Sequence, residues 1–378
     1  MSKLRFCLAG EYPANTTKIG GGVLHVMYLL GEAFARRDDI DFHIVSSTKG
    51  SDATRVVQRP GVTIHHVECR KRSLVPNLLA QPVKIAPIIR ELKPDVINSH
   101  SSVTTDAAVL AGCKVVHTIH GIIDDEIKLK RGRDKLASML QARLQHKSIM
   151  SADGVLSVAQ HGLDYYDRWI KSPSAVVNVP IEDIFWSVPD MQPCKGILFA
   201  GAVGKRKNLQ ALVAAMPIIL NKHPDAALYV CGGISDKAYK KEIDGFIKSK
   251  NIGESVKFLG VVSRNKLVEL LEECVALSLP SYQETSPGVI CQAMAAGRVP
   301  VASPVGGVPE MIEDGVTGFL VDADDSQLLA QRIIELMDDF DTAAKMGAAA
   351  RAVAKTRYNA GDVANSIIEF CTSLITPG

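Results

Sequence analysis

Four short stretches of this chain put charged or hydrogen-bonding groups where a backbone can meet a ligand. The first is SYQETSPGVICQAMAAG, from Ser281. Ser286 reads as a helix N-cap and Pro287 as the first helical residue. Pro287 has no N–H, so the open donors of that helix mouth are the amides of Gly288 and Val289. Glu284 stands just outside. Either the carboxylate only complements the helix dipole, or it and the amides together hold an anionic ligand. The second stretch is FAGAVGKRKNL, Phe199–Leu209. A strand ends at Gly201, and Lys205, Arg206 and Lys207 precede a helix opening near Asn208. Cations there oppose the macrodipole, so either water solvates them or a phosphate neutralises them. The third is KIGGGV, Lys18–Val23. Gly20, Gly21 and Gly22 let backbone N–H groups approach an anion, or they form a flexible loop. The spacing is not GxGxxG, so no dinucleotide fingerprint is present. The fourth is VVHTIHG, Val115–Gly121. Alternation sends His117 and His120 to opposite faces of a strand. His117 reads as a packed structural residue, whereas His120 ends the strand, where α/β sites are built. Two acidic pairs, DDE at 124–126 and DAD at 322–324, lack further ligands nearby. They read as solvated turns, and no metal site is expected.

The elements that must carry these loops follow from periodicity. Short β-like runs alternate with helical patterns. The runs are Leu4–Ala9, Phe42–Ser46, Val62–Val67, Asp95–Asn98, Val115–Ile119, Gly154–Val158 and Ala175–Val179. The stretch NVPIEDIFWSVPDMQPCKG then has three prolines and little period, and reads as a linker. Alternation restarts with Gly196–Ala200, Ala227–Val230, Val256–Leu259, Val275–Leu279, Val299–Ala302 and Gly318–Val321. The expected fold is α/β, two doubly wound Rossmann-like domains in tandem. Their expected bounds are 1–182, joined by a tail helix at about 357–378, and 183–356. At 378 residues the chain is too long for one core.

Bulk properties exclude little but are consistent. The net charge of +2 carries no signature of nucleic-acid binding. Residues 1–190 hold 24 basic and 20 acidic side chains, and the remainder 19 and 21. The first half is therefore the one to face an anionic partner. Eight cysteines, with no CxxC pair, read as small buried hydrophobes in a reducing compartment. With no signal-like or membrane-spanning run, a cytoplasmic location is expected.

In this order, the four loops resemble the retaining glycosyltransferases of family 4, which have the GT-B fold. The strongest part is Pro280–Val321, where a glutamate, a helix, a small-residue turn and VGGVPE follow one another. SADGVLSV at 151–158 and NVP at 178–180 also fall in place. The resemblance implies two Rossmann-like domains around a deep cleft holding a nucleotide-sugar donor. It implies that Glu284 contacts the donor sugar, that His120 approaches it from the other domain, and that Arg206 and Lys207 clamp the diphosphate. Gly20–Gly22 would close over the phosphates. The nucleoside would lie near Cys231–Gly233 and Gly260–Val262, including Val261 and Val262. The donor is a substrate with UDP or GDP as product, so no separate cofactor is implied. Same-face attack, with no covalent intermediate on the protein, would retain configuration.

Three departures bear on the donor. Ala202 follows Gly201 where the family commonly has arginine, and Arg206 is the residue at hand to replace it. Gln292 stands where a second glutamate is common, and an amide binds ribose hydroxyls without charge assistance. Pro287 removes one N–H. The acceptor falls to the first domain, where Cys69–Lys93 and KLKRGRDK, Lys128–Lys135, mix cations with apolar residues. These are either solvated helix faces or a surface for an anionic membrane, the latter suiting a lipid-linked saccharide in envelope or exopolysaccharide synthesis. A soluble acceptor, a nucleotide-sugar epimerase and a non-catalytic two-domain sugar-binding protein are the competing expectations.

Overall fold

The computed structural model describes residues 3–13, 19, 21–47, 53–69, 77–129 and 132–375. The chain divides into two compact units, Met1–Pro180 with Ala360–Gly378, and Ile181–Asn359. The first unit has strands β1 (Leu4–Gly10), β2 (Ile40–Ser46), β3 (Arg55–Arg59), β4 (Val62–His66), β5 (Val96–Ser99), β6 (Val115–Ile119), β7 (Gly154–Ser157) and β8 (Ser174–Val176). Among the described residues they form one sheet in the order β3-β4-β2-β1-β5-β6-β7-β8. Every pairing is parallel except β3 with β4. Helices α1 (Gly22–Ala35), α2 (Asn77–Leu92), α3 (Ser102–Ala111), α4 (Ile123–Leu129), α5 (Gly132–Ser151) and α6 (Gln160–Tyr166) connect them. The central strands β5 and β6 are buried along their whole length because a parallel sheet is covered on both faces. β6, VVHTI, is buried at all five positions.

The second unit repeats the plan with β9 (Gly196–Ala200), β10 (Ala227–Cys231), β11 (Val256–Gly260), β12 (Cys274–Leu279), β13 (Val299–Ala302) and β14 (Phe319–Leu320). Their order is β11-β10-β9-β12-β13-β14, all parallel. Its helices are α7 (Leu209–Lys222), α8 (Lys237–Ser249), α9 (Arg264–Glu272), α10 (Gly288–Ala295), α11 (Val308–Met311), α12 (Ser326–Asp338) and α13 (Phe340–Arg357). The tail helix α14 (Ala360–Ser373) returns to the first unit, where Val363, Ile367 and Ile368 join Phe6, Leu8, Val26 and Phe34 in one core.

Each sheet reverses its strand order once, between β1 and β5 in the first unit and between β9 and β12 in the second. Loops leaving the carboxyl ends of such neighbours diverge to opposite faces and leave a crevice between them. In the second unit those loops are the ones carrying Arg206 and Lys207, and Glu284.

Three expectations need correction. The edge strand β3 was not expected, since its five residues are exposed or half-exposed and lack an apolar face. Its hairpin turns at Gly61, whose φ of 73° and approach to the Ala35 carbonyl admit only glycine. The expected strand 175–179 leaves the ladder after Val176, although Val177 and Val179 stay buried. The expected linker is folded structure. Ile181, Phe185, Val188 and Met191 are buried in the second core, and Arg351 donates to the Val188 carbonyl at 2.6 Å.

Candidate active site

In the second unit two loops 77 residues apart in sequence are bonded together. After β9, Lys205–Lys207 form a 3-10 turn that ends at Asn208, held at a φ of 47°. Asn208 Nδ2 donates to the Ala323 carbonyl at 2.7 Å, which fixes this left-handed residue. Arg206 donates to the Gln283 carbonyl at 3.0 Å, and the Tyr282 amide donates back to the Arg206 carbonyl at 2.9 Å. Lys207 then pairs with Glu284 Oε1, and Arg206 lies 3.7 Å from Glu284 Oε2. Ser281 Oγ donates to Glu284 Oε1 at 2.7 Å. Glu284 is only 8% exposed. Burial pushes the Lys207 ammonium down from its ordinary range, and Glu284 opposes that shift. The stem of Lys207 passes 3.5 Å from where a Cβ on Gly201 would stand. The result is a carboxylate and two cations gathered in one place, each with at least one fixed partner.

The two helix mouths differ from expectation. Helix α10 begins at Gly288, its N-cap is Pro287, and no side chain caps it. Ser286 is therefore outside the cap and half-buried, because the extended backbone of Pro287 (φ −71°, ψ 108°) takes that place. Ile290 is the first amide with a partner, the Pro287 carbonyl at 2.9 Å. The Gly288 and Val289 amides precede it and, by position, have no carbonyl within the helix. Gln292 sits one turn on, on the same side of the helix as Gly288. The mouth of α7 is less open. The Tyr239 hydroxyl, from α8, accepts from the Gln210 amide at 2.8 Å. The cations before α7 are thus matched largely by Glu284, with the helix end already capped.

Beside this cluster the ends of β9, β10 and β11 are tied together. Gly201 N–H donates to the Cys231 carbonyl, Gly232 N–H to that of Gly260, and Val203 N–H to that of Gly233. Val261 stands beside Gly233, 3.6 Å from where a Cβ there would lie, and is 82% exposed, and Ile234 is 55% exposed. Val262 is half-buried against the core. These apolar groups standing in water at a strand end form a surface that a flat ring could cover. Ile234 escaped the sequence reading, though an apolar residue in a strand-end loop was its signal.

In the first unit, Gly21 has a φ of 89° and α1 starts at Gly22; both glycines are exposed, with nothing near the place of a side chain. Gly20 and Lys18 lie outside the described residues, as do 70–76 and 130–131 of the two basic segments. His117 is buried and hydrogen-bonds Thr105 Oγ1 at 2.8 Å. On the other sheet face His120 Nε2 lies 2.7 Å from His100 Nδ1. His100, 7% exposed, follows β5 and was not singled out from the sequence. The acidic pairs are engaged elsewhere. Asp124 bonds His146, and Asp324 accepts from Tyr282.

Burial holds these imidazoles neutral. His120 is pushed down from 6.5 to about 4 and His117 to about 3; His100 is pushed well below 6.5 by burial and by its neighbour His120. The unfolded chain takes up protons at these rings as pH falls below 6.5, while the folded chain resists until about 4 or lower. Stability present above 6.5 is therefore lost on acidification. The melting temperature is expected to fall steadily from pH 6.5 to 4, with each ring contributing up to about 1.4 kcal/mol per pH unit. Melts in stepped buffers check this, and a flat profile across that window would contradict the buried, neutral state.

Comparison with known proteins decides the family. Residues 20–180 match Glycosyltransferase Family 4, and residues 182–353 match Glycosyl transferases group 1. The chain belongs to the family 4 glycosyltransferases. This glycosyltransferase is 25% identical to the D-inositol 3-phosphate glycosyltransferase of Corynebacterium diphtheriae, over 88% of this chain and 84% of that one. It is 26% identical to an uncharacterized glycosyltransferase of Methanocaldococcus jannaschii, over 87% and 88% of the two chains. Among solved structures, sucrose-phosphate synthase from Thermosynechococcus elongatus matches with a TM-score of 0.78 at 20% identity, covering 98% of this chain and 99% of that one. Anabaena HepE, solved with UDP-glucose, matches with a TM-score of 0.72 at 20% identity, covering 97% and 99%. These likenesses show the GT-B fold.

Proposed function

We propose that this glycosyltransferase moves a sugar from a UDP- or GDP-linked donor to a saccharide or lipid-linked acceptor in envelope or exopolysaccharide synthesis, with retention of configuration. The observation that carries the proposal is the joining of Lys207 and Arg206 to Glu284 beside the open amides of Gly288 and Val289. Departure of a nucleoside diphosphate concentrates negative charge on the phosphate oxygens. Two cations and two amides are the groups suited to stabilise it, and they do so without a metal. Glu284 accepts hydrogen bonds from the donor sugar, Gln292 meets the ribose, and Gly233, Val261, Val262 and Ile234 border the base. Ser286, freed from capping, is a further hydroxyl beside Gly288. HepE, with UDP-glucose bound, supports a uridine nucleotide as the first donor to test.

A thermal-shift screen of UDP, GDP and ADP, with their sugars, tests the donor. A nucleotide at a hundredfold excess over its Kd adds about 2.7 kcal/mol to the native state. No shift with any nucleotide would sink the proposal. With a donor in hand, NMR of the product reads the anomeric configuration, and an inverted product removes retention. Turnover unchanged by a chelator is expected.

For the acceptor, the first unit exposes Leu136, Met139 and Leu140 on α5, with Lys135 and Arg143 beside them. Leu79 and Val83 stand exposed beside Lys84 on α2. Apolar side chains fringed by cations suit an anionic bilayer surface. The protein is expected to float with vesicles containing phosphatidylglycerol and to stay in solution with phosphatidylcholine alone. Equal behaviour with both would discard the membrane-bound acceptor.

A further inference from the structure

His120 ends a line of polar side chains that crosses one face of the first sheet. β5 and β6 run parallel with Asn98 opposite Val116 and Ser99 opposite His117. Period-two alternation puts 98 and 100 of one segment on the same face as 118 and 120 of the other. Asn98 Nδ2 donates to Thr118 Oγ1 at 2.8 Å. Its remaining atom, Oδ1, faces His100 Nε2 at 2.7 Å. A carbonyl oxygen only accepts, so His100 Nε2 carries a proton. A neutral imidazole has one ring proton, which leaves His100 Nδ1 as an acceptor. Its partner, 2.7 Å away, is His120 Nε2, which must then be the donor. His120 Nδ1 is left with a lone pair and no partner among the described residues.

We propose that Asn98 and His100 are positioning residues that lock His120 as its Nε2–H tautomer, so that His120 meets a substrate hydroxyl as a hydrogen-bond acceptor. This rests on the sugar-transfer reading above. A second ring proton on His100 would set two N–H groups against each other at 2.7 Å, and desolvation opposes a second proton on His120. A fixed tautomer gives the ring one task. It orients a hydroxyl by accepting its hydrogen bond and does so without a ring charge. In this arrangement the Asn98 amide turns its Nδ2 to Thr118 and its Oδ1 to His100, which sets the direction of the whole line.

The direct test uses the full chain labelled with ¹⁵N-histidine, with His120 assigned by its loss in His120→Ala. Long-range ¹H–¹⁵N spectra near pH 7.5 are expected to show a protonated Nε2 and a bare Nδ1 on His120. A protonated Nδ1, or a charged ring, overturns the proposal. This spectrum needs no substrate, so it decides the tautomer even if no nucleotide sugar is turned over. That second failure would instead reject the sugar-transfer reading. Kinetics supply an independent arm. His100→Asn puts an amide oxygen where Nδ1 was and keeps an acceptor for His120, whereas His100→Gln reaches only the Nε2 position and loses it. The kcat of H100N is expected to exceed that of H100Q by about tenfold, with donor KM changed little in either. A merely structural role predicts the same kcat in both, and that result overturns the proposal.

Discussion

Glu284→Gln is expected to lower kcat by about a hundredfold to a thousandfold, the cost of removing one group aimed at charge in a transition state. Gln is the informative choice because of the packing around this carboxylate. The amide keeps an oxygen for Ser281 Oγ, whose bond to Glu284 measures 2.7 Å. It removes the charge that Lys207 and Arg206 share. Alanine would remove both and leave Lys207, itself largely buried, beside an empty space. Breaking a buried pair from one side costs roughly 3–5 kcal/mol, less here because Arg206 is half-exposed and water screens it. The alanine variant therefore mixes lost stability with lost chemistry. Melting curves run beside steady-state rates separate the two. Full turnover by Glu284→Gln would remove this residue from the site.

The second large effect is on folding. A chain ending at Asn359 is expected to lose the cooperative unfolding of the first unit. Helix α14 buries Val363, Ala364, Ile367, Ile368 and Cys371. Its Phe370, and Leu374 just past its end, press so closely on Gly154 that a side chain there would collide with them. Val363, Ile367 and Ile368 alone represent about 5–9 kcal/mol of apolar burial, at about 1.5–3 kcal/mol each, as an upper figure. A domain has only about 5–15 kcal/mol in total. Calorimetry of the truncated protein should show the transition of the second unit surviving and that of the first lost or much lower. Melting like the full-length chain would refute the assignment of α14 to that core.

The fold was largely legible because parallel strands buried on both faces appear as short runs rich in β-branched and other apolar residues. Chemistry was legible where one sequence stretch carries both strand end and helix start, as with Glu284 and the Lys205–Lys207 turn. What escaped depends on partners distant in sequence. Ser286 looks like a cap, but the choice between Ser286 and Pro287 is made by backbone angles. Tyr239 caps α7 from another helix, and no local pattern announces it. His100 gained its place only through the register of β5 on β6, which a strand ended at Asn98 could not reveal. The stretch 181–191 has no period because its apolar residues enter the core from turns, each at its own angle. β3 has no apolar face to betray it, being an exposed edge held by its hairpin partner.

Ile181 forms a bridge with Asn359 and its amide donates to the Tyr358 carbonyl at 3.0 Å. The second unit is thus a closed cassette, starting and finishing a hydrogen bond apart. The chain leaves the first unit and returns to it at neighbouring residues, Pro180 and Ala360. The corresponding unit of another family member is expected to splice between these two points with no new loose ends, since recombination at a paired start and finish leaves both cores uncut.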